Sequence, residues 1–207
     1  MNKGNLFIFS GPSGIGKDTV LKELLKAHEN IRLSISSITR NMREGEVEGE
    51  KYHFISREQF EKMLENDELL EYNEYVGNYY GTPKKPVFDW LEQGYDVILE
   101  IDVNGAMKVM EKCPEAVSVF MMPTSINVLR ERLNKRGTED KATIDKRVNQ
   151  ALYEIGCADK YDYVFVNDEL QKAVDDLYAI IRANALLKNN MIDFIHEVEK
   201  NAESCNC

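Results

Sequence analysis

The stretch LFIFSGPSGIGKDTV, residues 6–20, joins an apolar run to a glycine-rich turn and then to a segment of helical periodicity. The run LFIF at 6–9 is typical of a strand buried in a parallel sheet. After the turn, apolar residues recur at helical spacing from Val20 to Leu25, which predicts a helix over 17–27. Strand, glycine loop and helix in this order form the context of a phosphate-binding loop.

The turn departs at one position from the phosphate-loop pattern G-x-x-x-x-G-K-[ST]. Its glycines let backbone amides point at an anion, and the amino end of the helix adds a positive dipole. Lys17 then reaches the β- and γ-phosphates, but Asp18 stands where the pattern has a hydroxyl, with Thr19 one place late. An acidic residue in a first helical turn is favoured by about 0.3–1 kcal/mol, so Asp18 could be only a helix-start residue. We favour a carboxylate that tunes metal binding.

Further buried-strand and helix patterns alternate along the chain. Strands are predicted at 96–103, 116–122 and 162–167, and helices at 105–112, 126–135 and 141–155. Alternation of this kind predicts an α/β fold, a P-loop NTPase-type doubly wound parallel sheet. One or two long helices are expected over 170–200, and a frayed tail after them.

Residues 36 to about 90 have a different composition, rich in Arg, Glu, Tyr and Gly. They contain a short β-like run, KYHFIS, and an acidic amphipathic segment, SREQFEKMLENDELLEY, that predicts a helix over 56–72. We expect a mixed α+β insertion between the second and third core strands. The expected organisation is one domain with a core at 1–35 and 91–207, the insertion at about 36–90 and an arginine-rich lid at about 130–148.

The overall charge narrows the classes of partner. The 207 residues carry a formal net charge of −10, which argues against binding to nucleic acid or to an anionic membrane. The four cysteines are scattered and read as cytosolic thiols, not as a disulfide frame or a zinc site. No segment has the apolar length of a membrane span. These features predict a cytoplasmic protein.

An arginine pair lies in SISSITRNMREGEVEGEKYHF at 34–54, in the first part of the expected insertion. Arg40 and Arg43 lie three apart, and Lys51 and Tyr52 follow nearby, so these side chains can converge on an anion through charge-assisted hydrogen bonds. A charge run alone is usually a solvated loop. Its position next to a phosphate loop makes a second anion site the better interpretation.

Two carboxylate-bearing stretches complete the polar clusters. In EYNEYVGNYYGTP at 71–83, Glu71, Tyr80 and Thr82 could meet one edge of a ligand, although a tyrosine-rich hairpin is also an ordinary strand edge. In LEID, strand alternation places Glu100 and Asp102 on one side. At the carboxyl end of a core strand, these two acids are suited to hold Mg²⁺ through waters.

The segment RERLNKRGTEDKATIDKR at 130–147 carries a further set of arginines. Arg132 and Arg136 share one helical face, and Arg147 follows a loop that contains glycine. Arginines on a mobile segment suit phosphoryl transfer, which develops negative charge and requires that water be excluded. A solvated basic helix is the alternative.

Taken together, these motifs resemble guanylate kinases over residues 4–182. The strings FSGPSGIGK, SISSITRNMREGE, GEKYHF, EYVGNYYGTP, ILEIDVNGA, RLNKRGTED and YDYVFVND follow that family's order and spacing. The resemblance implies a kinase that transfers the γ-phosphoryl group of ATP to GMP or dGMP, giving ADP and GDP, with Mg²⁺ as cofactor. It implies small nucleotides as partners and a monomer or homo-oligomer.

The resemblance also assigns roles by position. The implied guanine readers are Ser36, Glu71 and Thr82. The implied remainder of the GMP site is Arg40, Arg43, Tyr52, Tyr80 and Glu100. The implied ATP-binding residues are Gly11, Pro12, Ser13, Gly14, Ile15, Gly16, Lys17, Asp18 and Thr19. The implied catalytic residues are Lys17, Arg132, Arg136 and Arg147. The implied Mg²⁺ ligands, partly through water, are Asp102 and Asp18.

Three positions depart from the family pattern: Asp18 for Ser, Met42 for Pro and Glu100 for Asp. Of these, Asp18 puts the catalytic rate in doubt. A non-catalytic interaction module of the same fold is one alternative, but such modules typically lack an intact phosphate loop. A P-loop kinase for another phosphorylated acceptor, such as a ribose bisphosphate, is a second alternative, and it should lack Glu71 and Thr82.

Overall fold

The computed structural model of the chain describes residues 3–135 and 141–204. In chain order, the strands and helices are β1 (Leu6–Ser10), α1 (Lys17–Ala27), β2 (Ile31–Leu33), β3 (Ser36–Ile38), β4 (Tyr52–Phe54), α2 (Arg57–Glu65), β5 (Leu69–Tyr75), β6 (Asn78–Pro83), α3 (Lys84–Glu92), β7 (Asp96–Glu100), α4 (Val103–Lys112), β8 (Val117–Met122), α5 (Ile126–Lys135), α6 (Lys141–Ile155), β9 (Tyr163–Val166), α7 (Leu170–Ala185) and α8 (Ile192–Ser204). Within those described ranges, no helix combines the length and apolar character needed to cross a membrane.

The central sheet has five parallel strands in the order β2-β7-β1-β8-β9. Every residue of β1 is buried. Phe7 and Phe9 pack on one face in a cluster with α1 and α7, whereas Leu6 and Ile8 pack on the other with α3 and α4. This division arises because successive side chains of a strand point to opposite faces. The doubly wound α/β fold predicted from the sequence is confirmed.

A second, four-stranded sheet lies in the chain between β2 and β7, in the order β4-β3-β6-β5. Strand β3 pairs in parallel with β4 and antiparallel with β6, and β5 and β6 form a hairpin. Val76 and Gly77 turn the hairpin with φ angles of 50° and 73°. All four strands fall in the stretch where the sequence predicts an insertion, after the second core strand and before the third.

The helix predicted over 56–72 is shorter than expected. The side chain of Ser56 caps the start of α2, which ends at Glu65. Asp67 then adopts a φ angle of 53°, and the chain turns directly into β5. Asp is among the few residues that enter this left-handed region readily, so the turn stops the helix and the following leucines become part of a strand.

The strand predicted over 96–103 is also too long. It ends at Glu100, because Asp102 serves as the amino-terminal cap of α4 and accepts a 2.7 Å hydrogen bond from the backbone N–H of Gly105. Helix α4 consequently begins at Val103, two residues before the predicted start.

Other helix bounds agree with the sequence. The predicted helices at 17–27, 126–135 and 141–155 are present with those bounds. The stretch over 170–200 forms two helices, α7 and α8. The prediction of a frayed tail from residue 201 is wrong for the first four residues, because α8 continues to Ser204. Alanine and glutamate in this stretch favour helix. The last three residues lie outside the described part of the chain.

Candidate active site

The phosphate loop connects the carboxyl end of β1 to α1. A Cβ atom at Gly11 would lie 2.6 Å from the carbonyl oxygen of Met121, and one at Gly14 would lie 2.7 Å from a methyl group of Leu133. Both positions also have φ angles in the left-handed region, so the loop requires glycine there. Lys17 Nζ donates a 2.8 Å hydrogen bond to the carbonyl oxygen of Gly11. The lysine therefore folds back over its own loop.

Two side chains from distant elements hold the loop from the side of α5 and β9. Arg132 Nη1 donates a 2.6 Å hydrogen bond to the carbonyl oxygen of Ile15, and Asn167 Nδ2 donates one of 2.8 Å to the same oxygen. Together with Gly14, Gly16 and other residues, they line a cleft of about 350 Å³ beside the loop. No sequence motif indicated a role for Asn167. Its position directly after the last core strand, at the edge where ligands bind, was the available signal.

A buried acid on α6 also contacts the loop. Glu154 is 8% exposed, and its Oε2 accepts a 3.3 Å hydrogen bond from the backbone N–H of Ser13. Burial raises the pKa of the Glu154 carboxyl, against the hydrogen bonds from Gln150 and Ser13. No sequence motif indicated a role for Glu154, because a single acidic residue in an amphipathic helix forms no recognisable motif with its neighbours.

Four charged side chains meet between the phosphate loop and the second sheet. Lys51, next to β4, forms an ion pair with Asp18 in the first turn of α1. Its Nζ also lies 3.4 Å from Oε2 of Glu100, and Lys17 Nζ lies 3.8 Å from the other oxygen of Glu100. We call Lys17, Asp18, Lys51 and Glu100 the junction cluster. It contains two positive and two negative charges.

The charges of the junction cluster stabilise each other. Burial opposes the charge of Lys51, but the carboxylates of Glu100 and Asp18 outweigh burial and raise the lysine pKa. For Asp18, burial acts to raise the pKa, but the hydrogen bond and charge of Lys51, with a contribution from Lys17, lower it overall. Both side chains of the Lys51–Asp18 pair are therefore charged at neutral pH.

A buried carboxylate lies on β5 of the second sheet. Glu71 is 6% exposed and Thr82 is fully buried, and the Thr82 hydroxyl donates a 2.7 Å hydrogen bond to Oε1 of Glu71. The other oxygen lies against Gly105, where a Cβ atom would approach it to 2.8 Å. Burial raises the pKa of Glu71 to about 7, with a further contribution from Asp102 that the Thr82 hydrogen bond opposes. A buried carboxyl group whose pKa is raised in this way is typical of a ligand-binding or catalytic site.

Glu100 and Asp102 do not share a partner among the described residues. Glu100, the last residue of β7, faces Lys17 and Lys51. Asp102 caps α4 and accepts a 2.9 Å hydrogen bond from Asn73 Nδ2. Strand alternation predicted a common side, but the chain leaves the strand after Glu100, and alternation no longer applies.

The expected anion clamp already contains a carboxylate. Arg40 Nη1 and Nη2 donate hydrogen bonds of 2.7 and 2.5 Å to the two oxygens of Glu46. The backbone N–H of Arg43 donates one of 2.7 Å to the same group. The Arg40 hydrogen bond, followed by that from Arg43, lowers the pKa of Glu46 to about 2. The Arg40 guanidinium also lies 5.5 Å from the centre of the Tyr52 ring. The Arg40 guanidinium and the Arg43 backbone N–H thus form an anion site that the Glu46 carboxylate occupies.

The remaining expected GMP-site residues lie on the same sheet. Ser36 opens β3 and is in register with Tyr52 of β4, and Tyr80 of β6 is in register with Ile38 of β3. A Tyr80 hydroxyl interaction contributes to the raised pKa of Arg40, after the larger effect of Glu46. The second sheet therefore carries the expected base-reading side chains and the anion clamp on one scaffold.

The lid is described only in part. Arg130 on α5 forms an ion pair with Asp145 on α6, which connects the two helices. Arg147 lies on α6 and is partly buried. Arg136 lies outside the described residues, as do the four residues that follow it. The structure thus places Arg132 at the phosphate loop and Arg147 on the helix that carries Glu154.

The described residues of this site offer only single carboxylates to a metal ion. Across residues 3–135 and 141–204, no three His, Cys, Asp or Glu side chains converge to hold a metal ion. Asp18 pairs with Lys51 and Asp102 caps α4, so the two expected Mg²⁺ ligands have different partners. A Mg²⁺ ion bound to ATP takes its ligands largely from phosphate and water and needs only one or two carboxylates. The residues fit an ion that arrives with ATP, and Asp18 is placed beside the phosphate loop to meet it.

Comparison with known proteins gives one consistent result. The family model described as guanylate kinase matches residues 3–184. The guanylate kinase of Carboxydothermus hydrogenoformans is 53% identical over 186 residues, covering 90% of this chain and 91% of that protein. The guanylate kinase of Halalkalibacterium halodurans is 50% identical, covering 95% of this chain and 96% of that protein. The crystal structure of guanylate kinase from Anaplasma phagocytophilum matches with a TM-score of 0.74 and 37% identity, covering 89% of this chain and 88% of that one.

Proposed function

The chain belongs to the guanylate kinase family and is an ATP:GMP phosphotransferase, and we propose how its residues divide that reaction. The enzyme transfers the γ-phosphoryl group of ATP to GMP, which gives ADP and GDP. The observation that best supports the division below is the buried Glu71 carboxylate, held by Thr82 on the sheet that also carries the Arg40 clamp.

Glu71, Thr82 and Ser36 read the guanine base in this proposal. Guanine presents two N–H donors on its Watson–Crick edge, and a carboxylate accepts both. Its neighbouring carbonyl oxygen accepts a hydrogen bond from a hydroxyl such as that of Ser36, while the hydroxyl of Thr82 donates to Glu71 and orients it. Adenine has an acceptor where guanine has the ring N–H, so it leaves a buried carboxylate oxygen without a donor. Such a mismatch can reduce the rate for the wrong base by roughly 10⁴-fold.

The GMP phosphate takes the place of Glu46 at Arg40. Charge-assisted pairs between a guanidinium and a phosphate are bidentate, as the Arg40–Glu46 pair already is. Arg43, Tyr52 and Tyr80 complete the clamp in this proposal. A carboxylate at this place supports an anion site of the right geometry, because phosphate and carboxylate present similar oxygen pairs to arginine.

The phosphate loop and its neighbouring cleft bind ATP. The backbone amides of residues 11–19 and the ammonium of Lys17 contact the β- and γ-phosphates. Arg132 and Asn167 line the cleft beside the loop, where the adenosine part of ATP has space. Asp18, beside the phosphate loop, would hold a Mg²⁺ ion bound to ATP, directly or through water, and the ion would neutralise phosphate charge there. Asp102 is the other expected ligand, although it caps α4 in this structure.

Arg136 and Arg147 act on the transferring group when the lid closes. Phosphoryl transfer needs alignment of donor and acceptor and cations around the migrating group, more than it needs covalent help from the protein. Lys17, Arg132, Arg136 and Arg147 supply the positive charge in this proposal. Glu100 holds the two lysines of the junction cluster and lies between the two nucleotide sites.

A coupled assay of ADP formation tests these assignments. The protein is given ATP and Mg²⁺ with GMP, dGMP, AMP, CMP or UMP as acceptor. GMP and dGMP are expected to be good acceptors and AMP a poor one. Equal or faster turnover of AMP or UMP would contradict the guanine-reading role of Glu71. Activity toward dGMP, the oligomeric state and the cytoplasmic location stay predictions from the sequence.

A further inference from the structure

Lys51 occupies a position between the two nucleotide sites. Its ammonium shares the carboxylate of Glu100 with Lys17, at 3.4 Å from one oxygen while Lys17 lies 3.8 Å from the other. Since Lys17 is the lysine of the phosphate loop, Lys51 lies next to the place of the γ-phosphate. On its other side, Lys51 directly precedes Tyr52, and its Nζ lies 5.8 Å from the centre of the Tyr52 ring. The residue thus connects the loop with the clamp.

Space is present beside Lys51 for a phosphate group. A pocket of about 190 Å³ is lined by Glu46, Lys51 and Tyr52 together with their neighbours. Glu46, which lines this pocket, is the carboxylate that Arg40 binds. Lys51 therefore lies between Lys17 of the phosphate loop, with which it shares Glu100, and the Glu46 carboxylate bound by Arg40.

Asp18 and Glu100 both bind the ammonium of Lys51 and fix its position. An ammonium has three N–H donors, and the structure directs Lys51 at two carboxylates, those of Asp18 and Glu100. Within the described residues, this leaves one donor for a phosphate oxygen. The junction cluster has no net charge before nucleotides bind. Its two carboxylates offset the charges of the two lysines and hold both ammonium groups in position.

We propose that Lys51 is a further catalytic residue of the phosphoryl transfer, held by Asp18 and Glu100 so that its ammonium contacts the migrating group between ATP and GMP. A phosphate oxygen of GMP forms a bond to the γ-phosphorus, and the bond from that phosphorus to the β–γ bridging oxygen breaks. ADP leaves with the electron pair. Lys51 keeps its proton throughout and donates a hydrogen bond to the oxygens on which charge grows.

This inference depends on the proposed transfer from ATP to GMP, and its test separates the two. The unmodified protein is first assayed with GMP, and absence of GMP turnover there would overturn the proposed function and the role of Lys51 with it. Lys51→Met removes the charge and keeps most of the side-chain length, whereas Lys51→Arg keeps the charge. Lys62→Met is the matched control, because Lys62 is an exposed lysine on α2 of the same inserted segment, paired with Glu58.

Steady-state kinetics at saturating ATP and Mg²⁺ give kcat and KM for GMP separately. Lys51→Met is expected to lower kcat by roughly 10- to 100-fold while KM for GMP changes much less. Lys51→Arg should retain most of the rate, and Lys62→Met should match the unmodified protein. A change confined to KM for GMP would overturn the catalytic role and leave Lys51 as a binding residue.

A double-mutant cycle with Asp18 decides whether Lys51 acts on the phosphates or only neutralises Asp18. In the Asp18→Asn background, the proposal expects Lys51→Met to lower kcat again by about tenfold or more. If Lys51 only offsets the charge of Asp18, its removal in that background will leave kcat unchanged, and the proposal fails. Thermal unfolding of all variants verifies that each is folded at the assay temperature.

Discussion

The hydroxyl of Thr82 donates a 2.7 Å hydrogen bond to Oε1 of Glu71, and both residues are buried in the second sheet. This bond fixes one carboxylate oxygen, and Gly105 leaves room beside the other. The group proposed to read the base is therefore oriented before any nucleotide binds. Pre-orientation of this kind reduces the conformational freedom that a ligand must remove on binding.

Glu71→Gln should lower kcat/KM for GMP by roughly 100-fold. The amide keeps the shape of the side chain but replaces one acceptor by a donor, which then faces an N–H of guanine. AMP should remain a poor acceptor. The measurement is ADP formation at low GMP concentration, with Glu74→Gln, an exposed position on the same strand, as control. A loss smaller than about fivefold would contradict the base-reading role.

The raised pKa of Glu71 also predicts a dependence of stability on pH. The folded-state pKa, about 7, lies above the ordinary value of 4.5, so the folded protein binds the proton more tightly than the unfolded chain does. This contribution is fully present below the unfolded pKa, and it is lost as the pH rises through the folded pKa. Between pH 5 and pH 8, Glu71 should therefore lower the free energy of unfolding by on the order of 2 kcal/mol.

Urea unfolding of the ligand-free protein and of Glu71→Gln at both pH values measures this effect. The variant lacks the titrating group, so its free energy of unfolding does not contain this pH-dependent loss. The free energy of the variant minus that of the unmodified protein should therefore be more positive at pH 8 than at pH 5. Asp102, Lys108 and Lys112 also act on Glu71 and are unchanged in the comparison. A difference between the two proteins that does not vary with pH would contradict the prediction.

The lid and loop arginines should have distinguishable effects. Arg147→Ala is expected to lower kcat far more than it raises KM for GMP, because Arg147 is proposed to contact the transferring group. Arg132→Ala should raise KM for ATP as well, since Arg132 holds the carbonyl oxygen of Ile15 in the phosphate loop. Steady-state kinetics with each substrate varied in turn separates these cases. An effect of Arg147→Ala on KM alone would show that it only binds substrate.

Asp18→Ser should change the dependence of the rate on Mg²⁺. If Asp18 contacts the ion or its waters, the free Mg²⁺ concentration for half-maximal rate should shift, while KM for GMP stays nearly constant. The measurement is initial rate against free Mg²⁺ for both proteins at saturating nucleotides. Superimposable titration curves would contradict a contact between Asp18 and Mg²⁺. Asp18 would then act only at the start of α1 and as the ion-pair partner of Lys51.

Local signals in the sequence were sufficient for much of the fold. The phosphate loop and α1 were predictable because glycine spacing and apolar periodicity act within a few residues. The end of α2 was missed, because the left-handed turn at Asp67 depends on where the chain must next form a strand. Helix α4 begins two residues before the predicted start, because Asp102 caps it. That cap was missed because Asp102 lies within the apolar run that was predicted to be strand.

The contacts of the candidate site were harder to predict. Lys51 and Asp18 are 33 residues apart in the chain, and Asn167 reaches Ile15 across 152 residues. Such pairs depend on how the second sheet and the helices pack against the core. This packing cannot be predicted from any local sequence pattern. The sequence could name the charged residues near the phosphates, but not which carboxylate each lysine would face.

The bond between Glu46 and Arg40 has a consequence for small anions in the surrounding solution. The carboxylate is attached only six residues from the guanidinium, so its effective concentration there is on the order of millimolar or higher. Orthophosphate, sulfate or chloride must displace this tethered competitor with no other contact to help. In the proposed GMP site, the nucleotide would displace it with the added contacts of its base at Glu71. Such a site would exclude the inorganic anions of the cell and still admit the nucleotide.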